Sequence, residues 1–225
     1  MPETLAFRAL TAAQLVQEGK GGALILDTRP PEKFAACHIR GSIHISLQGH
    51  FSAWAAILID REQKLTLIAE DARHAEEAHL RLARVGLEHV LGYSFADEKE
   101  WRERGMELAS TPIERSESIR NTASSPALQL IDVRSRAEWL KGHLPGAISL
   151  PLLDIESKAA TIDLNRHSLI YCQEGLRATT AASILQRESD APVCILIDGI
   201  EGWLASGLPL EVPANRRFSS PSRTF

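Results

Sequence analysis

Cysteine is scarce in this chain. Cys37, Cys172 and Cys194 are three among 225 residues, an odd number and too few for a disulfide framework. A reducing compartment, most simply the cytoplasm, is therefore expected. No apolar run approaches the roughly 20 residues that span a bilayer, which speaks against a membrane partner. The opening MPETLAFRAL has no basic region ahead of a long apolar one, and no secretory signal is expected. An excess of one charge is missing too. Lys and Arg number 25 against 29 Asp and Glu, a net charge of −4, which favours neither nucleic acid nor an anionic membrane. The eight histidines show no H-x3-H or Cys–His metal spacing, so no metal is expected. What is present is ordinary for a soluble globular protein: 44% hydrophobic and 24% charged residues, in a length that suits one large domain or two small ones.

The chain repeats itself. LILDTRPPEKFAACHIRGSIHI (24–45) and QLIDVRSRAEWLKGHLPGAISL (129–150) share an apolar run, Asp-x-Arg, a helix-like stretch with an aromatic residue, and a His-x-x-Gly ending. Asp27 and Asp132, like Gly41 and Gly146, are 105 positions apart. ADEKEWRERGMEL and DGIEGWLASGLPL close the two halves, with Trp101 and Gly105 lying 102 positions before Trp203 and Gly207. Two copies of a domain of about 100 residues follow, over 5–109 and 127–213. Residues 110–126, rich in Ser, Thr, Asn and Pro, read as a linker. Residues 214–225 read as a loose tail.

In the second copy the runs LQLIDV, AISL, SLIYC and VCILI are nearly continuous in apolar character, as in strands buried on both faces of a parallel sheet. Ala178, Ala181, Ala182 and Leu185 mark one face of a helix. The alternation predicts an α/β fold in which each domain has a mainly parallel sheet flanked by helices. Ligands of such sheets sit at the carboxyl ends of strands. Cys172 lies at such an end, followed by Gln173, Glu174, Gly175, Leu176 and Arg177. Gly175 permits a left-handed turn, so the loop and the first amides of the next helix can converge on one point. Thiols at helix starts beside cations fall in pKa from roughly 8.5 to between 3.5 and 7.5. Arg177 supplies such a cation. The blander alternative is a small buried hydrophobe, which is how Cys194, inside VCILI, reads. Cys37 takes the place of Gly142 and looks incidental.

IDVRSRAEWLKGHLPGAISLPL, LIYCQEGLRAT and IDGIEGWLASGLPLEV together resemble the three signature blocks of the rhodanese (sulfurtransferase) family, over about residues 128–212. The first copy resembles the same fold more weakly, so the chain resembles a tandem rhodanese protein. The resemblance implies that Cys172 attacks the sulfane sulfur of a donor such as thiosulfate and becomes a persulfide. Amides from Gln173 to Arg177 would hold the negative sulfur, and cyanide or a thiol, on a small molecule or a sulfur-accepting protein, would remove it. Such a cycle needs no metal and no organic cofactor. Phosphatases and arsenate reductases of related fold use Cys-x5-Arg, and the shorter Cys-x4-Arg loop here suits one sulfur atom better than phosphate. Glu174 departs from the basic loops of thiosulfate-preferring members, which leaves a mercaptopyruvate-like donor or a protein persulfide open as well. Two alternatives stand beside sulfur transfer. One is a phosphatase or arsenate reductase using the same thiol, the other a non-catalytic rhodanese-fold binding or regulatory module.

The first copy has no thiol at the matching place. LTLIAEDARHAEEAHLRL aligns Glu70 with Cys172 when Trp101 is the anchor, and Ala69 when the helix face is. It reads as a catalytically silent copy that packs on the other. Asp132 and Arg134 are candidate supporting residues, but their recurrence as Asp27 and Arg29 favours a structural role. Arg134 and Glu138 have i, i+4 spacing and are expected to pair. His143 and His38 read as hydrogen-bonding residues of the fold, and Trp101, Trp139 and Trp203 as packing.

Overall fold

The computed structural model describes residues 7–123, 125–163, 165–189 and 191–213. The tail 214–225 and residues 5 and 6 of the first expected domain lie outside them.

The first copy runs α1 (Ala12–Lys20), β1 (Leu24–Asp27), α2 (Pro31–Ala36), β2 (His38–Ile39), β3 (Ile43–His44), α3 (Phe51–Leu58), β4 (Leu65–Ala69), α4 (Ala72–Ala83), β5 (Val90–Phe95), α5 (Glu98–Glu103) and β6 (Leu108–Ala109). Its parallel sheet has the order β3-β1-β4-β5, and β2 and β6 form a separate antiparallel ribbon. The second copy runs β7 (Ile113–Glu114), α6 (Ser116–Ile119), β8 (Leu128–Asp132), α7 (Arg136–Trp139), β9 (Ile148–Ser149), α8 (Ile155–Lys158), β10 (His167–Tyr171), α9 (Leu176–Glu188), β11 (Val193–Leu196) and α10 (Gly199–Ala205). Its parallel sheet reads β9-β8-β10-β11-β7. The four apolar runs of this copy are its strands β8, β9, β10 and β11, and the alanine-faced segment is α9. Each central strand is buried on both faces, which is why these runs show no alternation.

The repeat holds at the level of register. Asp27 lies opposite His44 as Asp132 lies opposite Ser149. Arg29 binds the Asp27 carboxylate and the Cys37 carbonyl (2.8 Å), and Arg134 binds Asp132 and the Gly142 carbonyl (2.7 Å). The expected pairing of Arg134 with Glu138 is not formed. Helix α7 is a single turn, and Arg134 lies ahead of it in the chain, so the i, i+4 geometry of a continuous helix never arises. His38 and His143 stack on Phe34 and Trp139, and each ring's Nδ1 meets a carbonyl four residues earlier, Phe34 at 2.9 Å and Trp139 at 3.3 Å.

Residues 110–126, linker-like in composition, are only partly a connection. Ile113 and Glu114 pair with Ile195 and Leu196 at the edge of the second sheet. Ser116 donates its backbone N–H and hydroxyl to Asp198, and Ile119 is buried. Residues 113–119 thus pair with and pack on the second sheet. In the first copy, the equivalent edge is reduced to a bridge between Ala9 and Tyr93. Few apolar residues are needed for an edge strand this short, so composition did not reveal it.

The two copies share one apolar core, running from Leu26, Ile43 and Leu67 to Ile131, Ile170 and Ala182. Helix α9 is wedged between its own sheet and β3 of the first copy. Residues 178–185 are buried without interruption, so the helix has no solvent face over two turns. Small side chains permit this: Ala178, Ala181 and Ala182 let both neighbours approach closely. The hydroxyls of Thr179, Thr180 and Ser183 donate to carbonyls of the preceding turn, which satisfies them without water. Ser183 Oγ also accepts the backbone N–H of His44, a buried hydrogen bond of 3.0 Å between the copies. A leucine at Ala181 would overpack this contact at a typical cost of about 1–3 kcal/mol.

Candidate active site

Cys172 follows the last residue of β10 and is 1% exposed. Three residues, Gln173 to Gly175, separate it from α9, and two neighbours force their path. Gly175 has φ +88°, and a Cβ there would lie 2.3 Å from the Ile197 carbonyl oxygen. Gly199 has φ +56°, and a Cβ there would lie 2.3 Å from the Gln173 carbonyl oxygen. Only glycine allows the loop and the start of α10 to approach this closely.

That approach orients the loop. The Cys172 carbonyl accepts from Ile200 N–H (2.9 Å) and the Gln173 carbonyl from Glu201 N–H (3.3 Å). Gln173 Nε2 donates to Glu201 Oε1 at 2.7 Å. A trans peptide places its N–H opposite its C=O, so the Gln173 and Glu174 amides aim away from α10. The first amides of α9 have no intrahelical partner, and Gly175, its N-cap, has no side chain to supply one. Loop amides and helix start together can receive an anion beside the sulfur.

Arg177 is held by a carboxylate from the short helix α7. Its Nη1 and Nη2 donate to Glu138 at 2.8 and 2.7 Å. Glu138 also accepts from the Ser135 N–H and hydroxyl, so it caps α7 and clamps Arg177 at once. Hydrogen bonding from Arg177, with those from Ser135 behind it, pushes the Glu138 carboxyl down to about 2 against the opposing effect of burial. The same pairing raises the Arg177 guanidinium.

Above Cys172 lies a cavity of about 460 Å³ to which both copies contribute. The second copy supplies Glu138, Gln173, Glu174, Leu176 and Arg177 beside the thiol. The first supplies residues 46 and 48–51 and Trp54 of α3. Arg81 of α4 braces that segment by donating to the carbonyls of Leu47 (2.7 Å) and Gly49 (3.3 Å), with its guanidinium carbon 5.2 Å from the Phe51 ring centroid. Asp132 and Arg134 do not line the cavity. Their pair is buried, with Arg134 5.8 Å from the Tyr171 ring centroid. Trp54 is among the cavity-lining residues that motif reasoning missed. A signal was present: Trp101 recurs as Trp203 and Trp139 as Phe34, whereas Trp54 has no aromatic counterpart in the repeat.

Sheet register decides which residue stands in place of the thiol in the first copy. Asp27 lies opposite Ile68 as Asp132 lies opposite Tyr171, so Ala69 corresponds to Cys172. The loop that follows is one residue shorter. Asp71 caps α4 by accepting the His74 N–H at 2.9 Å, and Glu70 pairs with Lys33. The start of α4 is therefore capped by the protein's own carboxylate.

Among the described residues, no cluster of three or more His, Cys, Asp or Glu is arranged to hold a metal, and no helix is long and apolar enough to cross a membrane. Residues 11–94 and 116–206 each match the sequence profile of the family described as rhodanese-like domain. A sulfurtransferase of Allochromatium vinosum is 33% identical over 99 residues, covering 44% of this chain and 92% of that protein. A putative sulfur carrier protein of Bacillus subtilis, YrkF, is 30% identical over 80 residues, 36% of this chain and 43% of that protein. The crystal structure of a thiosulfate sulfurtransferase from Pseudomonas aeruginosa aligns over 96% of this chain and 46% of that one, at 21% identity and a TM-score of 0.40. The chain thus spans nearly all of the first protein and less than half of each of the other two.

Proposed function

Because this chain belongs to the rhodanese-like domain family, in two copies, we propose that it is a sulfurtransferase with one active site, in which Cys172 carries sulfane sulfur as a persulfide. The observation that carries the reading is the contrast between the copies. One places a thiol before a helix start left open by Gly175; the other places Ala69 before a helix start closed by Asp71. In the loading step the Cys172 thiolate attacks the sulfane sulfur of a donor such as thiosulfate, the donor's bond to that sulfur breaks, and the remainder leaves as sulfite or a thiolate. The loop amides and the start of α9 hold the charge on the terminal sulfur. A thiophilic acceptor then takes that sulfur and regenerates the thiolate.

The same thiol in a phosphatase would need donors free to grip a tetrahedral oxyanion. Arg177 is bound at both terminal nitrogens by Glu138, which favours sulfur transfer over phosphoester chemistry. Intact-mass spectrometry after incubation with thiosulfate or an organic persulfide tests the proposal. Wild type is expected to gain one sulfur atom, about 32 Da, and lose it to cyanide as thiocyanate, while Cys172→Ser gains none. A wild type that takes sulfur from neither donor, or a Cys172→Ser protein that still does, refutes the reading.

A further inference from the structure

The cleft above Cys172 is far larger than the atom it would transfer, and beyond the loop amides its charged side chains do not attract an anion. At about 460 Å³ it falls among the sites of roughly 300–1,000 Å³ that enclose organic molecules. Arg177 is the one permanent cation among the described residues that line it, and Glu138 neutralises that charge. Glu174 adds an exposed carboxylate. Trp54 and Leu176 provide apolar surface, since both line the cleft and are only half-buried. The wall is also fixed in place: a Cβ at Gly49 would meet Leu176 Cδ1 at 3.2 Å, which shows how closely the two copies meet there.

We infer that the sulfur acceptor this cleft selects is an organic thiol with an uncharged apolar or aromatic body, seated against Trp54 and Leu176, and that Trp54 and Glu138 set the preference. This inference rests on sulfur transfer at Cys172. The thiolate of the acceptor attacks the outer sulfur of the Cys172 persulfide. The S–S bond to Cys172 breaks, its electron pair stays on Cys172 as the thiolate, and the acceptor leaves as its own persulfide anion, carrying that sulfur and the charge it bore. No oxidant is required. The silent copy acquires a role in this scheme, since it builds the wall that recognises the acceptor's body.

The test loads wild type, Trp54→Ala and Glu138→Gln with sulfur, removes the donor, and follows discharge by intact mass with two thiols. One is phenylmethanethiol, neutral and aromatic; the other is 2-mercaptoethanesulfonate, small and anionic. The quantity read is the ratio of their discharge rate constants. Comparing that ratio between proteins cancels the thiols' intrinsic reactivity, and taking it on one preparation makes it insensitive to the fraction folded. Losing an apolar contact of this size is expected to lower the ratio about tenfold in Trp54→Ala. Releasing Arg177 in Glu138→Gln is expected to lower it by speeding the anionic thiol. A ratio unchanged within about twofold in Trp54→Ala, or a wild type that prefers the sulfonate, overturns the inference while leaving sulfur transfer standing. An unchanged ratio in Glu138→Gln overturns the part assigned to Glu138. A wild type that accepts sulfur from no donor overturns the transfer reading itself, and this inference with it.

Discussion

His44 is fully buried where the two copies meet, and its ring makes the fold sensitive to acid. Nε2 lies 2.8 Å from the Arg29 carbonyl, so it carries the proton, and Nδ1 has no hydrogen-bond partner. Protonating Nδ1 would place a charge among Phe34, His38, the Asp27–Arg29 pair and α9. Burial therefore pushes the imidazole down from 6.5 to about 4, with the Asp27 charge opposing only in part. Above about pH 6.5 the ring is neutral in both folded and unfolded chains, and its contribution to stability is constant. As pH falls from there toward 4, the unfolded chain binds a proton that the folded one refuses, and stability is lost. Each tenfold difference in proton affinity is worth about 1.4 kcal/mol, which makes the total loss about 3 kcal/mol. Urea unfolding of wild type and His44→Gln, followed by tryptophan fluorescence at several pH values, measures it. Subtracting one pH profile from the other removes titrations common to both proteins, including those of His38 and His79. Wild type should lose about 3 kcal/mol more than His44→Gln between pH 6.5 and 4. Parallel profiles would show that the buried ring is not held neutral.

Gly175→Ala should destabilise the protein by about 3 kcal/mol, because it combines a left-handed backbone with a Cβ driven against the Ile197 carbonyl. Denaturant melts read the loss, and a change under about 0.5 kcal/mol would mean that the loop is not clamped there. Ala69→Cys places a thiol in the first copy without opening the helix start that Asp71 occupies. In a Cys172→Ser background it should take up no sulfur in the mass assay. Sulfur mapped by peptide mass to the substituted position would refute the argument that the open helix start is what matters.

Much of the architecture was legible because it is written in local pattern. Two-face burial makes β8, β10 and β11 read as continuous apolar runs, and the Asp-x-Arg and His-x-x-Gly repeats recur because each copy closes the same turn with the same side chains. The strand–loop–helix around Cys172 was legible for a similar reason, since Gly175 and the alanine face of α9 mark its parts. Arg134 was less tractable. Sequence spacing offered Glu138, whereas the fold gives Arg134 to Asp132 and brings Glu138 to Arg177, 39 positions away. The edge strand at Ile113 escaped notice because two residues carry no periodicity.

By itself, the sequence determined that the chain is a duplicated α/β unit with a thiol at a strand end in one copy only, because strand burial, turn glycines and helix faces are properties of neighbours along the chain. Tertiary structure alone decided that Ala69 takes the place of Cys172 in the first copy, that Arg177 is clamped, and that Trp54 of the first copy walls the cleft. Those facts depend on sheet register and on α9 packing between two sheets, and contacts between segments so far apart in the chain leave no spacing to read.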